Sequence, residues 1–189
     1  MIVDIVFGFL GAGKTTFIAR VLKEWDYQEK TVVLVNEFGD VGIDGDLLSE
    51  RGGNVVEMPS GCICCISQVR SIIEAQILEK AIRKINDILI ADAAGFMELY
   101  KANRHFVESQ VENADLVILN KCDKVDQKRA MLTRSAIAAL NPEIAVLSTQ
   151  YGAVDKAEYM LALSAAQNFP KMAEARSHSH DRAENGNFF

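Results

Sequence analysis

Three short segments hold residues whose types and spacing suit chemistry on a phosphate, a purine base and a soft metal ion. The first is Gly8-Phe9-Leu10-Gly11-Ala12-Gly13-Lys14-Thr15, followed by Thr16, which fits the pattern G-x-x-x-x-G-K-[ST]. Glycines at Gly8, Gly11 and Gly13 let the backbone bend so that successive N–H groups, Ala12 among them, point inward at phosphate oxygens. A helix starting there adds the positive end of its dipole. Lys14 would reach the terminal phosphates, and the Thr15 hydroxyl would hold Mg²⁺. The plainer alternative is a glycine-rich strand-to-helix turn, but the apolar strand before and the helical pattern after are the context that phosphate loops require.

The second segment is Asn120-Lys121-Cys122-Asp123. The Asp123 carboxylate can accept two hydrogen bonds from the Watson–Crick edge of guanine. Adenine offers no such pair of donors, and a carboxylate left unpaired discriminates strongly. Asn120 would touch the base edge and bridge to the phosphate loop, and the aliphatic stem of Lys121 can cover the base plane. The competing reading is a polar loop after a strand. Ser148 to Gly152, after the last strand, could close over the base.

The third segment is Gly61-Cys62-Ile63-Cys64-Cys65. Cys62, Cys64 and Cys65 could offer thiolates to one ion, and Zn²⁺ and Cu⁺ both suit them. The alternative is a set of small buried apolar residues. Two acidic stretches complete the inventory. Asn36 to Asp44 carries Glu37 and Asp40 in a glycine-containing loop, which suits carboxylates placed near Mg²⁺ or a second metal, against the plainer reading of a solvated turn. Asp92-Ala93-Ala94-Gly95 puts an acid where magnesium is commonly held through water, and the Gly95 N–H could meet a γ-phosphate.

These residues need a scaffold. Near-continuous Val/Ile/Leu runs predict parallel strands at Ile2–Phe7, Thr31–Asn36, Asn54–Met58, Asp87–Ala91, Asp115–Leu119 and Glu143–Ser148. Helical patterns lie between and after them, at Lys14–Trp25, Ser67–Ile85, roughly Met97–Val111, Gln127–Leu140 and Asp155–Gln167. The alternation predicts an α/β fold, a mostly parallel central sheet with helices on both faces. Residues 1–170 form the predicted domain, and the polar, aperiodic residues 171–189 read as a disordered tail or linker.

The 189 residues suffice for one domain with its own core. A net charge of −6 argues against a nucleic-acid binder, which needs a basic face. No apolar run approaches the roughly 20 residues that span a bilayer, and the N-terminus lacks a secretory pattern, so the expected compartment is the cytoplasm. With four cysteines, three of them clustered, a metal or redox site is the stronger expectation than disulfides there.

Taken together, GFLGAGKTT, NEFGDVGID, GCICC and NKCD resemble the CobW-type members of the CobW/HypB/UreG family of metal-handling P-loop GTPases, over Ile2 to about Leu163. The resemblance implies a GTPase that couples its nucleotide state to delivery of zinc or cobalt. It gives Lys14 and Thr15 the phosphate and magnesium roles, Asn120 and Asp123 the guanine role, and Cys62, Cys64 and Cys65 the metal, with Glu37 as a neighbour. Expected partners are GTP and GDP, a metal-receiving client protein, and a second copy of the chain in a homodimer.

The chain departs from the family in three places. Asp92 stands where the family usually has Glu. About twenty residues separate Gly95 from Asp115, where the family fits a further strand, so the sheet is expected to lack one or be rearranged. The family carries a second domain after a His-rich linker, and with only a few residues after His178 and His180 the chain reads as the GTPase domain with a vestige of that linker, so the second domain's role is expected to be absent or supplied by another chain. These departures predict secure nucleotide binding with slow hydrolysis, and keep two alternatives open: a nucleotide-dependent interaction switch, and a P-loop ATPase or kinase with a fortuitous N-K-x-D.

Overall fold

A computed structural model describes residues 2–25, 32–35, 54–57 and 84–166. Glu37, Asp40, the three clustered cysteines, all but the end of the helix expected over Ser67–Ile85, and the tail from residue 171 lie outside the described residues.

Four strands form one parallel sheet in the order β1-β4-β5-β6: β1 Ile2–Gly8, β4 Lys84–Asp92, β5 Leu116–Asn120 and β6 Ala145–Ser148. Two others, β2 Val32–Val35 and β3 Asn54–Glu57, pair in parallel with each other. The register sets Gly8 beside Ile90, Asp92 beside Asn120 and Leu119 beside Ser148, so the carboxyl ends of all four strands open on one edge.

Parallel neighbours need crossovers, and the crossovers cover both faces of the sheet. Side chains alternate along each strand. Ile88, Ile90, Leu116 and Ile118 face one way, onto Phe17 and Trp25 at helix α1 (Lys14–Glu24) and Tyr159, Ala162 and Leu163 of α5 (Lys156–Ala166). Leu89, Ala91, Val117 and Leu119 face the other way. They meet Phe96 of α2 (Phe96–Ala102), Val107 and Val111 of α3 (Arg104–Asn113), and Ile137 of α4 (Gln127–Leu140). The result is the expected α/β P-loop architecture, with the core split between two layers.

Local chemistry sets the helix ends. The Asp126 side chain accepts the Arg129 N–H at 2.7 Å and starts α4. Asp155 accepts from Ala157 and Glu158 at 2.9 and 3.0 Å and starts α5.

Two elements differ from the sequence-based expectation. β4 begins at Lys84 rather than Asp87, so Lys84 and Ile85 are strand where helix was expected. Pairing with Ile2 to Asp4 extends it, and Asn86 fixes the extension by donating to Asp4 Oδ1 at 2.6 Å. Tyr159 donates to the other Asp4 oxygen at 2.8 Å. The single helix expected over Met97–Val111 is two, broken at Asn103, whose φ of −138° and ψ of 53° are not helical. The break lets Phe96 before it and Val107 and Val111 after it reach the same apolar layer. No strand lies between Gly95 and Leu116, in line with the short interval read from the sequence. Among the described residues no helix is long and apolar enough to cross a membrane.

Candidate functional site

The loop between β1 and α1 is shaped by three glycines with positive φ: Gly8 at 142°, Gly11 at 74° and Gly13 at 103°. Two of them are also sterically compelled. A Cβ on Gly8 would meet the Ile90 carbonyl oxygen at 2.2 Å, and one on Gly13 would meet Asn120 Nδ2 at 2.3 Å. The loop is thus pressed against β4 on one side and against the end of β5 on the other.

Lys14 folds back over the loop and donates to the carbonyls of Gly8 and Phe9 at 3.2 and 3.1 Å. Its ammonium therefore lies against the loop's own backbone. Thr15 is half-buried in the first turn of α1, and Thr16 is exposed. Leu10 stands 98% exposed at the loop's tip. A cavity of about 270 Å³ adjoins the loop and is lined by Phe9, Leu10, Ala12, Asp92 and Gly95 among others. One ligand could therefore touch both the loop and the turn after β4. These features fit a nucleotide phosphate chain: a glycine cradle, an ammonium already over it, and a hydroxyl at the helix start.

Asn120 is 2% exposed and joins two loops that are far apart in sequence. Its Nδ2 donates to the Ala12 carbonyl at 3.0 Å, and its Oδ1 accepts the Gly152 N–H at 2.9 Å. Thr149 tightens the same region: its N–H donates to the Leu119 carbonyl at 2.8 Å, and its own carbonyl accepts the Cys122 N–H at 3.1 Å. Arg20 of α1 donates to the Tyr151 carbonyl at 3.1 Å, holding the loop after β6 from the other side. Asp123 sits exposed in a 3-10 turn spanning Cys122–Lys124. Cys122 donates its thiol to the Leu119 carbonyl at 3.2 Å.

Asp92 ends β4 with both oxygens engaged. Oδ1 accepts the Ala94 N–H at 2.8 Å and the Gly95 N–H at 3.4 Å, and Oδ2 meets the Lys121 ammonium at 2.8 Å. Burial works to raise its pKa, but the Lys121 hydrogen bond and the Ala94 N–H outweigh it. The carboxyl is held below its ordinary value and is ionised at neutral pH. Gly95 has a φ of −95°, so its backbone does not itself require glycine.

Three contacts were not legible in the motifs. Lys121, read as a cover for the base, has its ammonium on Asp92. Arg129 donates to the Ala94 carbonyl at 2.8 Å and to Glu98 at 2.7 Å, bracing the turn after Asp92. Phe106 of α3 stacks edge-on against Phe9 of the loop, 5.3 Å between centroids. Only the adjacency of β4 and β5 could have suggested the first. Nothing in the sequence signals the other two.

The family model of the CobW/HypB/UreG nucleotide-binding domain matches residues 2–99 and 75–148. The zinc chaperone YeiR of Escherichia coli is 27% identical over 208 aligned positions, covering 94% of this chain and 62% of YeiR. The chain therefore spans less than two thirds of that relative's length. Among solved structures, nickel-bound HypB from Helicobacter pylori superposes with a TM-score of 0.60 at 14% identity, covering 90% of this chain and 89% of HypB. Zn(II)-bound YjiA GTPase from E. coli gives a TM-score of 0.59 at 21% identity, covering 84% of this chain and 60% of YjiA. At these identities the superpositions speak to the fold.

Proposed function

The chain belongs to the CobW/HypB/UreG nucleotide-binding-domain family, and from that premise we propose that it binds GTP with magnesium, hydrolyses it slowly, and couples the nucleotide state to delivery of zinc or cobalt or to assembly of a metal cofactor. The observation that carries the nucleotide reading is the Asn120 bridge, which ties the phosphate loop at Ala12 to the loop after β6 at Gly152. One nucleotide could then touch both loops, phosphates on the first and base beside the second.

In this reading Gly8, Gly11, Ala12, Gly13, Lys14, Thr15 and Thr16 hold the phosphates. Lys14 exchanges the Gly8 and Phe9 carbonyls for phosphate oxygens, and Asp123 reads guanine beside Asn120 and Lys121. Magnesium, held by Thr15 with Asp92 and Asp40 nearby, would neutralise charge on the phosphate oxygens. Lys14 and the loop amides do the same from the protein side, so catalysis is mostly positioning and charge neutralisation. Asp92 is already occupied by Lys121 and two amides, which supports slow turnover and favours a switch-like role as the second reading.

The metal is cargo. Cys62, Cys64 and Cys65, with Glu37 beside them, are the proposed ligands, and names among the relatives and neighbours speak of zinc and nickel. We further assign a cytoplasmic location, a metal-receiving client and a homodimeric state. The deciding experiment is GTP turnover in Lys14→Ala. Loss of both GTP binding and turnover is expected; wild-type turnover in that variant would remove the enzyme assignment.

A further inference from the structure

The Asp92 carboxylate lies between two regions that a guanine nucleotide would touch at opposite ends. Toward the base side, its Oδ2 holds the Lys121 ammonium at 2.8 Å, and the two side chains are only 27% and 26% exposed. Toward the phosphate side, its Oδ1 accepts the N–H groups of Ala94 and Gly95, the turn that lines the cavity beside the phosphate loop. The register makes this possible, because Asp92 pairs with Asn120 and Lys121 is the next residue. Lys121 also adopts a left-handed backbone, φ 61° and ψ 33°, uncommon for a residue with a side chain.

We propose that Asp92 is a positioning residue for base recognition: by pinning the Lys121 ammonium it fixes the lysine stem along the base site, and by holding the Ala94–Gly95 turn it joins that site to the terminal phosphate. This rests on the guanine-nucleotide reading above. It gives Asp92 a task in nucleotide affinity that does not need magnesium.

An ion pair at a partly exposed position couples its partners by about 1 kcal/mol, close to a fivefold change in affinity. The test is GDP affinity in EDTA, by fluorescence of a labelled GDP, for wild type, Asp92→Asn, Lys121→Met and the double variant. Pyrophosphate, which has no base, is the competitor that reads the phosphate site alone. Each single variant should bind GDP on the order of fivefold more weakly, the double variant no more weakly than either single, and pyrophosphate should compete equally against all four. Full GDP affinity of Asp92→Asn in EDTA, with a deficit only when magnesium is added, would overturn the proposal, since Asp92 would then serve the cation alone. So would single losses that multiply in the double variant, or a parallel loss of pyrophosphate binding, which would mark damage to the loop. Lys121→Met keeps the test open should Asp92→Asn fold poorly. A wild-type chain that binds no guanine nucleotide would instead strike at the underlying reading, and the wild-type arm separates the two failures.

Discussion

Asn120 donates to the Ala12 carbonyl across 108 positions of sequence, at 3.0 Å, with neither residue more than 2% exposed. The same amide's oxygen takes the Gly152 N–H. One side chain thus satisfies two backbone groups from loops far apart in the sequence.

Asn120→Ala should leave both groups without this partner. At about 1–3 kcal/mol for each unsatisfied buried group, a total near 2–6 kcal/mol is expected, read by chemical denaturation of the nucleotide-free protein. GTP affinity should fall with it. A denaturation midpoint unchanged from wild type would show that water takes over both hydrogen bonds.

The three loop glycines should not be equivalent. At Gly11 a Cβ meets nothing within 4 Å, so Gly11→Ala carries only the left-handed strain of about 1–2 kcal/mol. Gly13→Ala adds a collision with the Asn120 amide, which can shift at the cost of its bridge. Gly8→Ala collides with the Ile90 backbone near the carboxyl end of a buried strand that is paired on both sides. Melting temperatures should therefore fall least for Gly11→Ala and most for Gly8→Ala. The reverse order would mean that the loop is not packed against β4 as described.

Asp123→Asn should weaken GTP binding while leaving ATP binding where it was, because the carboxylate acts on the base edge and the phosphate loop is untouched. A loss of about tenfold or more is expected for GTP in competition binding, from one charged hydrogen-bond partner. Equal weakening of both nucleotides would return the N-K-x-D segment to an ordinary polar loop.

A Cys64→Ser, Cys65→Ser variant should lose zinc affinity by orders of magnitude, since hydroxyls replace two soft thiolate ligands. Zinc titration with GTP, with GDP and without nucleotide would also read coupling, which must be reciprocal between the two ligands. Unchanged zinc affinity in the variant would place the metal on other residues.

The contiguous motifs were legible because their chemistry is local. Gly8 to Thr16 announces its backbone and its helix within nine residues, and the apolar runs announce β1, β4, β5 and β6 to within a few positions. Element ends were less legible: β4 gains Lys84 to Asn86 from Ile2 to Asp4, and the helix over Met97–Val111 is interrupted at Asn103 to serve a distant layer. The sequence alone determined a phosphate loop, a candidate base reader and an α/β scaffold. Only the tertiary structure decided that β1 lies beside β4, that Asn120 ties Ala12 to Gly152, and that Lys121 spends its charge on Asp92. The physical reason is register: parallel pairing carries residues far apart in the chain to one edge of the sheet, and the partner of a side chain there depends on which strands are neighbours.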